Sequence, residues 1–137
     1  MAPACVKLEI TENALEFDLS EVSHVIDELV AAGFPLALDD FGTGYSSLGR
    51  LVDMPFTLIK VDKFFVWQTP DGPGAGVVAS LSQLSHHLRI DALGEGVETA
   101  AQEAYLRTLN YRYAQGFYYA RPLSVADFSA WAGWPMD

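Results

Sequence analysis

The stretch LALDDFGTGYSSL, Leu36 to Leu48, decides how this chain is read. Leu36, Ala37 and Leu38 make a short apolar run of the kind that forms a buried strand, and it stops at two adjacent carboxylates, Asp39 and Asp40. Two like charges at the end of a buried strand cost repulsion and desolvation, and a fold keeps them where a metal ion or a Lys/Arg lies between. Asp and Gly are also ordinary turn residues, so on the dipeptide alone a solvated turn competes evenly. Neighbouring side chains of a strand face opposite ways. Both aspartates reach one cation only if the chain bends there, and Gly42 and Gly44 just beyond permit a bend.

Working outward, strand and helix signals alternate five times. Val6–Ile10 alternates like a strand, and Ser20 is placed to cap a helix with Val22, Val25, Ile26, Leu29 and Val30 on one face, ended by Gly33. After the strand through Leu38 comes a short helical stretch from Ser46 to Val52, then a strand over Thr57–Val61. The loop TPDGPGAG lacks the order of a phosphate loop and reads as a mobile connector. It leads to a helix with Val77, Val78, Leu81, Leu84 and Leu88 on one side; His86 and His87 on that helix lack the i, i+4 spacing of a metal pair and read as surface or partly packed residues. Ile90–Leu93 is a weaker strand, Thr99 with Gln102 forms a capping box for a helix through Leu109, and Tyr111–Ala114 is a last strand. Ser124 and Asp127 open a final helix carrying Phe128 and Trp131. This alternation predicts an α/β fold with a parallel sheet.

Each strand ends in a polar group: Glu9 and Glu12, Asp39 and Asp40, Lys60 and Asp62, Glu95, and Gln115. Successive ones lie about one strand-plus-helix unit apart, so parallel strands bring them to a single face, the active-site face of a β/α barrel. Ordinary strand-to-loop polarity is the competing explanation. Carboxylates with a lysine and no Cys/His set suit Mg2+ or Mn2+ rather than zinc. Two such ions sharing a carboxylate would activate water and neutralise a phosphodiester in line.

Composition narrows the partners. In 137 residues, half of them apolar, there is material for one domain with a real core. The formal charge of −10 argues against an electrostatic grip on a DNA or RNA polymer or an anionic membrane. Bound divalent ions would still let an acidic chain take a phosphate substrate. The N-terminus has no basic region followed by an apolar run, and no apolar segment approaches the roughly 20 residues of a membrane helix. The single cysteine, Cys5, excludes an internal disulfide, and a cytoplasmic location is expected.

LEITENAL, LALDDFGTGYSSL, LIKVDKFFV, GEGVET and AQGFYYARPL together resemble, in order and spacing, the EAL-domain family of cyclic-di-GMP phosphodiesterases. The resemblance covers almost the whole chain. It implies a (β/α) TIM-type barrel and hydrolysis of cyclic-di-GMP to pGpG with two Mg2+ or Mn2+ ions. By the resemblance, Glu9 would bind one metal, Asp39 would bridge the two, Asp40 would hold the second, and Glu95 would support it. Lys60 would orient the attacking water, Gln115 would help place it, Glu12 would anchor the DDFGTG loop, and Arg121 and Pro122 would border the substrate. For Glu12, an ordinary acid at a helix N-terminus is the competing local reading.

The departures matter as much. A full barrel takes about 250 residues, whereas this chain starts at the family's fourth strand, so residues 1–137 are expected to be a truncated domain with about five βα units of eight. The Glu-Ala-Leu signature, the family's metal-binding Asn and its phosphate-gripping arginine are absent, and Gly94 stands where the family has alanine. Two functions stay open: the C-terminal part of a phosphodiesterase, inactive by itself, or a non-catalytic EAL-like remnant acting as an interaction or ligand-binding module. Self-association or a complementing chain is expected from the sheet edges that five strands leave open.

Overall fold

The apolar runs become five parallel strands: β1 (Leu8–Thr11), β2 (Leu36–Phe41), β3 (Phe56–Val61), β4 (Asp91–Gly94) and β5 (Tyr113–Ala114). The computed structural model describes residues 2–16, 19–42 and 48–133. The strands neighbour one another in chain order, and every pairing is parallel. Parallel neighbours need crossovers, here α1 (Leu19–Ala31), α2 (Leu48–Asp53), α3 (Lys63–Val66) with α4 (Gly74–Leu88), and α5 (Ala100–Thr108). A last helix, α6 (Val125–Ala132), follows β5. An order without reversal is that of an arc of a β/α barrel; a doubly wound sheet would switch direction partway. The chain is thus a partial barrel of five strands.

The core lies on the two middle strands. Leu36, Ala37 and Leu38 of β2 and Ile59 and Val61 of β3 are buried, and Ile26 of α1, Val78 and Leu81 of α4 and Leu106 of α5 pack with them. Each large apolar side chain so buried contributes roughly 1.5–3 kcal/mol. Among the described residues no helix is long and apolar enough to cross a membrane.

Several elements differ from their sequence expectation for local reasons. β1 starts at Leu8 rather than Val6 because the Val6 N–H is taken by the Pro3 carbonyl in a 3-10 turn over Pro3–Cys5. α1 starts at Leu19, so Ser20 lies within the helix instead of capping it. Val22, Ile26 and Leu29 face the core, while Val25 and Val30, a residue to either side of that line, are exposed. Val77 of α4 is likewise exposed, whereas Val78 and Leu81 are buried. The short helix expected over Ser46–Val52 is α2, from Leu48 to Asp53; Ser46 and Ser47 lie outside the described residues. Tyr111 belongs to the exit of α5, where its N–H bonds to the Leu106 carbonyl, and β5 shrinks to two residues.

The connector 69–76 is built rather than loose. Gly72 N donates to the Gln68 carbonyl at 2.7 Å, Gly74 N donates to Gln68 Oε1 at 3.1 Å, and the buried Gly74 already belongs to α4. The capping box of α5 is present, with the Thr99 hydroxyl accepting from Gln102 N. Ser124 caps α6 by accepting from Asp127 N. Of the two readings for His86 and His87, surface or partly packed, the structure has the first: both are exposed.

Candidate metal centre

The two aspartates come to one face through a bulge that they form themselves. Leu38 pairs with Ile59 and Phe41 with Val61, so Asp39 and Asp40 together stand opposite the single residue Lys60. A bulge of this kind bends the strand and re-aims a side chain. Asp40 takes the left-handed conformation, φ 56°, which Asp tolerates better than most residues. The bend that the two aspartates need is thus made at Asp40, Gly42 just beyond it also takes a positive φ, 98°, and Gly44 lies outside the described residues.

Lys60 is the hub. Its side chain is only 6% exposed, and its Nζ lies 2.8 Å from Glu9 Oε2, 2.8 Å from Asp39 Oδ1 and 2.9 Å from Glu95 Oε1. Four strands thus contribute to one floor: Glu9 from β1, Asp39 and Asp40 from β2, Lys60 from β3, and Glu95 just past β4. Burial alone would lower the Lys60 pKa, but the hydrogen bonds to Asp39, Glu9 and Glu95 outweigh it and hold the pKa above the ordinary lysine value. The ammonium is secure.

The carboxylates are under the opposite pressure. Glu95 is raised above the usual carboxyl range by burial, with Asp39 and Asp40 adding repulsion and Lys60 pulling against them. Asp40 is raised by desolvation first, then by the charges of Asp39 and Asp62. A site holding Glu9, Asp39, Asp40 and Glu95 against one lysine carries more negative charge than its own cation offsets. Oxygen atoms of Asp39, Asp40 and Glu95 all lie within 4.8 Å of one another, the one group of this kind among the described residues. An all-oxygen set with surplus negative charge fits Mg2+ or Mn2+. Glu9, its side chain half exposed on the edge strand, reaches this group through Lys60.

The backbone behind the site is tightly tied. Glu95 N donates to the Val61 carbonyl, Gln115 N to the Gly94 carbonyl and Val97 N to the Gln115 carbonyl, with Val97 wholly buried. Gln115 Nε2 donates to Glu95 Oε1 at 2.7 Å, so Gln115 orients the carboxylate that Lys60 also holds. Glu12, buried at the start of the 3-10 turn Glu12–Glu16, accepts from Gly42 N at 3.1 Å and ties the turn after β1 to the end of β2. It thus sits at a helix start and also reaches the loop. The rest of that loop, 43–47, lies outside the described residues.

Arg121 and Pro122 stand apart from the carboxylates. They line a cavity of about 620 Å3 with Gly96, Gln115, Phe117 and Trp131, and the Arg121 guanidinium lies 4.8 Å from the centre of the Phe117 ring. Gln115 is the residue common to this groove and the carboxylate floor. Sequence reasoning missed α3. Its cap, the Asp62 carboxylate accepting from Phe64 N at 2.7 Å, was a legible signal. Trp67, just after it, donates from Nε1 to the Gly96 carbonyl at 2.8 Å and so braces the segment that carries Glu95.

Gly94 and Gly116 are required by close approach. A Cβ on Gly94 would lie 2.5 Å from Leu106 Cδ1, so the missing methyl makes room for a core leucine. A Cβ on Gly116 would lie 2.2 Å from both Val97 N and Val97 O, backbone that cannot move aside.

Comparison with known proteins agrees with this geometry. The family model for the EAL domain matches residues 1–122. The chain is 35% identical over 127 residues to "Cyclic di-GMP phosphodiesterase NbdA" of Pseudomonas aeruginosa, covering 92% of this chain and 16% of that protein. Among solved structures it superimposes on "PaMucR Phosphodiesterase, c-di-GMP complex" with a TM-score of 0.87 and 33% identity, over 93% of this chain and 52% of that one. It also matches the manganese and cyclic-di-GMP complex of Klebsiella pneumoniae BlrP1 at pH 9.0, with a TM-score of 0.83 and 34% identity, over 89% of this chain and 31% of that one. The chain therefore spans much less than the full length of the proteins it matches. Its strand order, its carboxylate floor and the matched family model lead to one conclusion: this chain belongs to the EAL-domain family.

Proposed function

We propose that the chain is the C-terminal part of a cyclic-di-GMP phosphodiesterase domain of a cytoplasmic signalling protein, with its chemistry on the face where the strands end. The observation that supports this most directly is the gathering of Asp39, Asp40 and Glu95 beside Lys60 in a member of this family. A divalent Mg2+ or Mn2+ held by those carboxylates supplies Lewis acidity toward water and a phosphodiester. Lys60 Nζ is a donor beside that group, suited to orienting a water molecule. Gln115 keeps Glu95 aimed. Glu9 and Asp39 are the residues of this chain that would serve a second ion, the remaining ligands coming from strands outside it. Arg121 offers a cation to a phosphate entering along the groove.

Chromatography for pGpG, with cyclic-di-GMP and Mn2+, tests this. The 137-residue chain is assayed alone and joined to the part of the NbdA domain that precedes the matched region. Negligible turnover is expected alone, with turnover in the joined protein that Lys60→Ala abolishes. A joined protein that folds and binds Mn2+ yet releases no pGpG would refute the proposal. A second reading, a non-catalytic module that binds a protein, draws support from the exposed apolar face of α6, where Val125 and Trp131 are 75% and 60% exposed. On that reading, partner binding survives Asp39→Ala.

A further inference from the structure

Three carboxylates from three different strands converge on one ammonium, and two of them, Asp39 and Glu95, belong to the group suited to a divalent ion. Lys60 Nζ lies within 2.9 Å of an oxygen of each. One carboxylate oxygen accepts several donors, but a dication bound there and an ammonium at this distance repel strongly in a partly desolvated site. We propose that Lys60 is the resident cation of the carboxylate floor, holding it assembled, and that a divalent ion binds by taking over its contacts with Asp39 and Glu95 and leaving it Glu9. This rests on the reading that Asp39, Asp40 and Glu95 hold such an ion.

Two features favour exchange over simple addition. Glu9, the third partner, is on the edge strand with its side chain 51% exposed, so it can follow the ammonium as it moves. Asp40 stands opposite Lys60 across the bulge, in the same group as Asp39 and Glu95, so a divalent ion at that group gains a third carboxylate as it displaces the ammonium. A lysine so placed sets metal affinity: it weakens binding by repulsion and keeps the floor folded until the ion arrives. That role is distinct from orienting water, because it is visible in binding and stability without substrate.

The test uses Mn2+ titration calorimetry and thermal unfolding of the 137-residue chain as wild type, Lys60→Met, Lys60→Arg and Lys7→Met. Lys60→Met should unfold several degrees lower without metal, bind Mn2+ about tenfold or more tighter, and regain the lost stability as Mn2+ is added. Lys60→Arg, which keeps the charge, should not bind tighter. Lys7→Met removes the same net charge from an exposed site and should leave affinity unchanged. Wild-type binding with equal or weaker binding by Lys60→Met would overturn the exchange and leave the metal reading intact. Mn2+ binding by neither would overturn both. Should Lys60→Met fail to fold, the wild type decides by NMR of lysine ammonium groups. A protected Lys60 signal that shifts or disappears on Mg2+ saturation supports exchange, and one that does not change refutes it; Lys7 and Lys63 are the only other lysines in the chain.

Discussion

At Asp40 the proposed metal site opposes stability at a single residue. Its carboxyl is raised by desolvation and by the charges of Asp39 and Asp62, so the ionised form is disfavoured in the fold. A folded pKa above the unfolded value means that the native state gains stability as pH falls through it and loses it as pH rises. Asn is nearly isosteric, uncharged, and among the residues that best tolerate the left-handed conformation found at this position. Asp40→Asn should therefore raise the Tm of the metal-free chain at neutral pH, by roughly 2–5 °C, and weaken Mn2+ binding at least about tenfold, since a neutral amide is a poorer ligand than a carboxylate. The gain in Tm should vanish below about pH 4, where both forms are uncharged. Calorimetric scans at pH 7 and pH 4 check this; a lower Tm at pH 7 would show that Asp40 stabilises the fold through its charge.

At the scale of elements, Gly116 fastens β5 to the segment carrying Glu95. Val97 N donates to the Gln115 carbonyl and Tyr118 N to the Val97 carbonyl, a pair of bonds that brings the two backbones into contact at Gly116. A methyl group there meets Val97 N and O at 2.2 Å, and the residue also has φ 154°. Gly116→Ala should cost about 2–4 kcal/mol by overpacking and lost hydrogen bonds, while Gly94→Ala, which meets the Leu106 side chain rather than backbone, should cost less, about 1–2 kcal/mol. Denaturant unfolding of the two variants measures the difference, and equal costs would mean that the loop after β5 yields more readily than its contacts indicate.

Most of these elements are legible in the sequence because hydrophobic period and caps are local. Thr99 with Gln102 and Ser124 with Asp127 cap as the sequence suggests. What escaped has causes that lie across the sheet or below the reach of periodicity. The Asp39–Asp40 bulge exists only relative to β3, and α3 is four residues long, too short to show a period. The exposure of Val25 and Val30 depends on which neighbours α1 meets. The site residues were readable as strand ends, but the hub position of Lys60 follows from register alone.

At the scale of the whole molecule, burial falls from the middle of the sheet to its edges. β2 and β3 are almost wholly buried, whereas β1 alternates half-covered and exposed residues and β5 has no buried residue. Both edges present unpaired backbone groups to any other strand. Beside β5, α6 buries none of its residues and turns Val125, Phe128 and Trp131 outward at i, i+3, i+6 spacing, next to exposed Phe117 and Leu123. Exposed apolar side chains grouped in this way invite association. Five strands also cannot close the eight-stranded barrel, and two copies would bring ten, so a second copy would cover these surfaces without completing the barrel. The 137-residue chain should therefore sediment as a concentration-dependent mixture of species. Trp131→Glu, on an exposed site where the folded chain loses little, should shift that mixture toward monomer. A polypeptide supplying three further βα units should compete with self-association and bind one to one, because it alone satisfies both edges at once. Analytical ultracentrifugation decides: a chain that stays monomeric at all concentrations, with a sharp unfolding transition, would mean that the edges and the face of α6 are stable in water as they stand.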